Sequence, residues 1–253
     1  DWLTLITEFI GMTAAMSIFG VPPLATVIVV TIIMAIMVLQ GRYWTWEKIA
    51  ILFCALNLIY IPAAFIVHPS VMSVIKGGMI PNFPGGFSNQ IFFFLMANVG
   101  TTIAPWMIFF QQSAVVDKGL KERDIHWERF DTAIGSFFTI AVGVFIIIVT
   151  ATLIPGVNVQ SAAEAAVKLL PIHPTVGTLM VIGLFDAGLL GAICISLTSS
   201  WAFGEVFGWA HSLNQKIGQA PWFYLFRLFI LATAGAVVLI PGAPLILITL
   251  FVQ

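Results

Sequence analysis

The sequence predicts an all-α, polytopic membrane protein, and three observations carry that prediction. Hydrophobic residues make up 60% of the 253 positions and charged residues only 8%, whereas a soluble domain carries about 25% charged residues. The apolar residues fall in uninterrupted runs long enough to cross a bilayer. The basic residues collect in alternate connections, as the positive-inside rule requires.

The runs define eight spans: 2–19, 24–40, 49–67, 91–116, 133–154, 176–206, 225–240 and a short eighth at 243–253. Backbone groups in lipid must pair internally, so runs of this length are helices. Barrel strands would be shorter and would alternate polar with apolar. Turn chemistry separates the spans: Gly20 to Pro23 forms a tight turn, and Pro155-Gly156 and Pro241-Gly242 end helices. The stretch 68–90, with four glycines and three prolines, is expected to be a long loop.

With 41–48, 117–131 and 207–227 on one side, that side holds Arg42, Lys48, Lys118, Lys121, Arg123, Arg129, Lys216 and Arg227. These are eight of the ten basic residues, leaving Lys76 and Lys168 on the other. The first side is therefore expected to be cytoplasmic. Trp44, Trp46, Trp127 and Trp222 stand near it, as an interfacial aromatic belt would. The expected location is the plasma membrane, with the lipid bilayer as surroundings.

A net charge of −1 points to no nucleic-acid partner, and no protein partner is evident. Cys54 and Cys194 are too few and too far apart for a metal cluster or disulfide framework, and read as small core residues. No nucleotide-binding, HExxH or CxxC motif occurs, so the chain is not expected to be an enzyme or to need a cofactor. It lacks an initiator Met and a signal peptide, and both ends lie at apolar runs. This pattern is expected of part of a longer chain.

The fourth span carries the most chemistry. Gly100, Thr101, Thr102, Ile103, Ala104, Pro105 and Trp106 stand at its centre. Pro105 lacks an amide hydrogen and clashes with the preceding turn; Gly100 is permissive, and the threonines offer hydroxyls. The helix can therefore unwind and free carbonyls as hard cation ligands, the design of discontinuous transporter helices. The alternative is a simple proline kink whose hydroxyls bond their own helix. Gln111, Gln112 and Ser113 continue a polar strip that either lines a hydrated route or bonds neighbouring helices.

Glu8 lies in the first span between Thr7 and apolar residues, and an intramembrane acid is a functional-site hypothesis by default. Asp186, between Gly183 and Gly188, is a similar candidate, with a structural role the alternative because the glycines suggest close helix packing. Ser196, Thr198, Ser199 and Ser200 read as packing contacts, and Gly204 with Gly208 as a small-xxx-small motif. His68, His126, His173 and His211 form no metal spacing and read as solvated. Asp131 is a candidate cap for the fifth helix.

The sequence from Gly100 to Trp106, followed by Gln112-Ser-Ala-Val-Val116, resembles the sixth helix of the NRAMP divalent-metal transporters. Thr7-Glu-Phe-Ile-Gly11 resembles their third helix, Phe130-Asp-Thr-Ala-Ile134 the start of their seventh, and the stretch from Asp186 to Ser200 their eighth. The resemblance covers nearly the whole chain, from helix three to the start of helix ten. It implies a LeuT-type inverted-repeat fold without its first two helices and its C-terminal end. Residues 1–253 would form one transporter domain, with 1–67 the remainder of the first repeat and 91–253 an incomplete second.

The resemblance also implies roles. Glu8 matches an acid on the family's proton route, and Thr101, flanked by Gly100 and Thr102, the position whose backbone carbonyl touches the metal. Ala104 matches a metal-binding methionine, and Trp106 a histidine that handles protons. Leu5 replaces a second third-helix acid. Loss of a soft thioether weakens the preference for transition metals, and a roomier oxygen-lined site suits Mg²⁺, which keeps several waters. Trp106 and Leu5 argue against proton coupling. The combination is similar to the family's magnesium-transporter branch, which implies uptake of Mg²⁺, with Mn²⁺, by alternating access without proton coupling. The alternatives are a proton-coupled Mn²⁺/Fe²⁺ importer, a Na⁺-driven symporter for an organic substrate, and a non-transporting scaffold.

Overall fold

The structure, a computed structural model, describes residues 1–38, 42–80, 86, 88–102, 104–157, 159 and 161–252. Every regular element among them is helical, as an apolar chain requires where no water satisfies the backbone. Helix α1 (Trp2–Ile18) turns at Gly20, whose φ of 79° suits only a residue without a Cβ, into α2 (Pro23–Val38). Helix α3 (Tyr43–Leu56) passes through a 3₁₀ turn at Asn57–Ile59 into α4 (Tyr60–Ile66). Pro62 explains that irregularity, because it offers no N–H to the carbonyl of Leu58 and crowds the turn before it.

The chain continues through α5 (Val71–Met79), α6 (Asn89–Thr102) and α7 (Pro105–Lys118), and then α8 (Ile125–Leu153) and α9 (Ala162–Leu169). It ends with α10 (Pro174–Phe207), α11 (Pro221–Val238) and α12 (Leu245–Val252). Among the described residues, five stretches are long and apolar enough to cross a membrane: Tyr43–Ile66, Ile91–Lys118, Glu122–Leu153, Pro174–Phe207 and Pro221–Val238. The expected first and second spans are shorter helices of 17 and 16 residues, about 25 Å long at 1.5 Å per residue. The expected eighth holds only α12, of 8 residues.

Helix α10 is the axle of the bundle, and its glycines set how closely the others approach. An added Cβ at Gly188 would stand 2.8 Å from the side chain of Met12, and one at Gly191 would stand 2.7 Å from the Glu8 carboxyl group. Helix α1 therefore lies almost on the α10 backbone. Helices α11 and α2 complete this cluster, with Phe9, Met34, Ile193, Phe223 and Leu231 in its interior. A second cluster joins α4, α8 and α9 to the first half of α10 through Tyr60, Val149, Leu169 and Val181. Helix α7 meets α10 where Phe110 packs on Trp201, 5.8 Å between ring centroids. Helix α6 packs extensively against no other helix among the described residues.

Several expectations need correction. The 68–90 stretch contains α5, capped by Ser70, whose Oγ accepts from the Ser73 amide at 3.4 Å. The fifth long helix begins at Ile125, directly after a 3₁₀ turn at Glu122–Asp124, so Asp131 lies inside it and caps nothing. Cys54 is exposed on α3 rather than buried. Trp46 is not part of a belt: it is 4% exposed and packs between Tyr43 and Phe110, whereas Trp44, Trp127 and Trp222 are exposed. Arg227 is not a loop charge, because Pro221 starts α11 early enough to draw it into the helix, where it is fully buried. Gly204 and Gly208 pair no helices. Gly208 is the left-handed C-cap of α10 at φ 68°, and Gly204 makes room for the His211 ring.

Candidate functional site

The fourth span is interrupted where its sequence demands. Helix α6 ends at Thr102 and α7 begins at Pro105, with Ala104 extended (φ −77°, ψ 135°) at its N-cap. In a continuous helix the Thr101 carbonyl would accept from residue 105, and proline has no N–H to give it. That carbonyl is therefore freed by covalent chemistry, independent of side-chain detail. The threonine hydroxyls are not free. Thr101 Oγ1 donates to the carbonyls of Ala97 (3.1 Å) and Asn98 (3.0 Å), and Thr102 Oγ1 to that of Asn98 (2.7 Å). The kink alternative is thus right about the hydroxyls, while the helix is nonetheless broken. Gly100, Thr101 and Thr102 are exposed, and Ala104 and Trp106 are half-buried.

Glu8 does not join this break. Its half-buried carboxyl group lies against α10 in the space left by Gly191. Thr7 turns to the Thr4 carbonyl (2.7 Å) and leaves Glu8 alone. The polar strip of α7 also divides. Gln111 Nε2 donates to Glu128 Oε1 on α8 at 2.8 Å, Gln112 is exposed, and Ser113 is half-buried.

Two further polar pairings join residues far apart in sequence. Asn57, at the 3₁₀ turn between α3 and α4, donates from Nδ2 to Asp186 Oδ2 at 2.6 Å. Asp186 is 4% exposed, and its Oδ1 has no partner. A buried carboxylate oxygen without a partner among the described residues is costly, and the bond from Asn57 offsets only part of that cost. On the Asn57 side the legible signal was Pro62, which breaks that helix five residues beyond Asn57. Arg227, fully buried, donates from Nε to Ser196 Oγ (3.2 Å) and from Nη2 to the Ile193 carbonyl (3.3 Å), and its Nη1 has no partner. Ser196, Thr198, Ser199 and Ser200 are all buried and bond the preceding turn, as packing residues do.

Asp186 and the break lie at a similar depth. Asp117 on α7 meets Trp201 on α10. Stepping back about 14 residues along both helices, roughly 21 Å, reaches the break on one and the neighbourhood of Asp186 on the other. Glu8, against Gly191, lies about 8 Å nearer the basic end. Arg227, bonded to Ser196, lies about 15 Å nearer that end, so Asp186 with Asn57 stands nearest the level of the break.

At the basic end, α7 is locked in place. The Asp117 carboxylate accepts from Trp201 Nε1 (3.1 Å), Ser212 Oγ (2.6 Å) and the Leu213 amide (2.8 Å). Asn214 Nδ2 donates to the Asp117 carbonyl at 2.7 Å, and Lys118 pairs with Glu47 of α3 at 2.8 Å. The charge run that begins at Asp117 therefore starts as an anchor rather than a free loop.

The geometry describes a discontinuous apolar helix with a freed carbonyl at its centre and the buried Asn57–Asp186 pair near the same depth. No group of three or more His, Cys, Asp or Glu side chains converges among the described residues, so a metal here would rely on backbone carbonyls and retained water. No curated protein matches the chain. The model of the Nramp family, described as natural resistance-associated macrophage protein-like, matches residues 1–253, and the chain belongs to that family of divalent-metal transporters.

Proposed function

We propose that the chain carries Mg²⁺, and with it Mn²⁺, into the cell by alternating access without proton coupling. The observation that supports this most directly is the break itself. Thr101 presents a carbonyl without a helical donor, and Ala104 stands at the gap where the resemblance matches a metal-binding methionine. Oxygen ligands and retained water suit a hard, slowly dehydrating ion, and a methyl group supplies none of the softness that favours transition metals. Leu5, fully buried in the core, offers no carboxylate, and Trp106 packs against the same core. The ion would sit between Gly100 and Ala104, with Trp106, Gln111, Gln112 and Glu8 along its route. On this reading the fold is of the LeuT type, with 1–67 and 91–253 from its two repeats. The basic end faces the cytoplasm, and the membrane is the plasma membrane.

Glu8 favours a second reading, a proton-coupled Mn²⁺/Fe²⁺ importer, because it is an acid within the bundle. Proteoliposome flux separates the two. The first expects Mg²⁺ uptake with no accompanying acidification of the lumen. Uptake of Mn²⁺ with protons and without Mg²⁺ competition would refute it.

A further inference from the structure

We infer that the basic end of the bundle holds a second cation site, a wet vestibule in which Glu205 and the Nε2 nitrogen of His211 receive a hydrated divalent ion. The identity of the ion as cargo rests on the proposed transport function; the site itself rests on its geometry. A cavity of about 250 Å³ opens there between α7, α10 and the segment after α10, lined by Ser113, Asp117, Glu205, Trp209, His211 and Gln215. Each water takes about 30 Å³, so the cavity accepts about eight waters. That exceeds the six of an octahedral aqua ion. Ser113 lies about 15 Å along α7 from the break, so the vestibule is separate from the break and in line with it.

Each lining group has a distinct part. The Asp117 carboxylate is committed to its three donors, so it contributes negative potential without ligating. The carboxylate of Glu205, exposed near the end of α10, has no hydrogen bond or ion pair among the described residues and is free to coordinate. His211 is held on two sides. Its ring rests on Gly204, where a Cβ would overlap it, and its Nδ1 is hydrogen-bonded to the Trp209 carbonyl. A carbonyl only accepts, so Nδ1 carries the proton and the lone pair of the neutral ring falls on Nε2. A backbone carbonyl that fixes the tautomer in this way is the usual partner of a metal-binding imidazole.

No group of three or more His, Cys, Asp or Glu side chains converges among the described residues, so the site is not a cage of such side chains. It suits an ion that keeps most of its water and takes one carboxylate. The imidazole adds affinity only for ions that accept nitrogen, so Mn²⁺ binds here more tightly than Mg²⁺.

Pulsed electron paramagnetic resonance of Mn²⁺ added to the detergent-solubilised full chain tests this, because coupling to ¹⁴N reports a directly bound imidazole. The wild type is expected to show the coupling, His211→Gln to abolish it, and Glu205→Gln to weaken Mn²⁺ binding at the coupled site by about tenfold or more. Thermal midpoints without metal check that both variants fold. No nitrogen coupling in the wild type, or coupling that persists in folded His211→Gln, overturns the inference. Coupling that is lost as expected in a protein that fails to move divalent ions would leave the vestibule standing and remove the transport reading instead.

Discussion

Replacing Asp117 by alanine should release α7 from α10 at the basic end, and the size of the effect follows from the bonds lost. The carboxylate accepts from Trp201 Nε1, Ser212 Oγ and the Leu213 amide at 3.1, 2.6 and 2.8 Å. A hydrogen bond to a charged group contributes about 1.5–3 kcal/mol when well shielded. Asp117 is only half-buried, and water replaces part of each bond, so about 1 kcal/mol per bond is the appropriate scale. The sum, about 3 kcal/mol, corresponds to roughly two orders of magnitude in a local opening equilibrium. Hydrogen exchange followed by mass spectrometry reads this directly, because the Leu213 amide is itself one of the three donors. In Asp117→Ala, peptides over 209–216 and the end of α7 should exchange roughly 100-fold faster. Lys118→Met, which breaks the neighbouring pair with Glu47 but keeps the acceptors, should leave Leu213 protected. Wild-type protection at Leu213 in folded Asp117→Ala would show that the carboxylate does not hold the segment.

Ala104→Met should raise the preference for Mn²⁺ over Mg²⁺ severalfold, because a thioether is a soft ligand. Unchanged competition by Mg²⁺ in a flux assay would exclude position 104 from the site. Asn57→Leu leaves both oxygens of buried Asp186 unpaired and should cost about 1–3 kcal/mol, lowering the thermal midpoint by several degrees. The double variant Asn57→Leu/Asp186→Leu should recover much of that loss, and a single variant as stable as the wild type would contradict the pairing. Gly177→Ala should destabilise by about 1–3 kcal/mol, because the added Cβ would stand 2.7 Å from the Leu170 backbone, which has no rotamer to yield. Gly143→Ala, with nothing within 4 Å, should be neutral or slightly stabilising in the same melt; equal midpoints for the two would refute the close α9–α10 approach.

The helices and the central break were legible because they depend on local chemistry. Pro105 removes a donor wherever it stands, and long apolar runs admit no other backbone in lipid. The polar partners were not legible. Asn57 and Asp186 are separated by 129 positions, and nothing in either neighbourhood names the other. Pro62 marks the break in the helix of Asn57, but it does not name Asp186 as the partner. Arg227 stands where the expected 207–227 connection and the 225–240 span overlap, and Pro221 starts α11 early enough to place it within the helix. Gly204 and Gly208 matched a helix-pairing pattern by spacing alone, whereas one is a cap and the other a seat for His211. Family resemblance supplied roles for Thr101 and Ala104, which neither composition nor spacing assigns.

The two halves of the broken span are unequally held, and this has a mechanical consequence. Helix α7 is pinned to α10 and α3 through Asp117 and Lys118, whereas α6 packs extensively against no helix among the described residues. Proline removes the Thr101–Pro105 rung of the ladder between them, so bending at the gap stretches no hydrogen bond there. The half that begins at Pro105 is then a fixed post, and the half that ends at Thr102 an arm that meets it at the gap beside Ala104. If the cargo binds the Thr101 carbonyl, it becomes a removable strut between arm and post. Loading and unloading the ion would then change the stiffness of the joint itself.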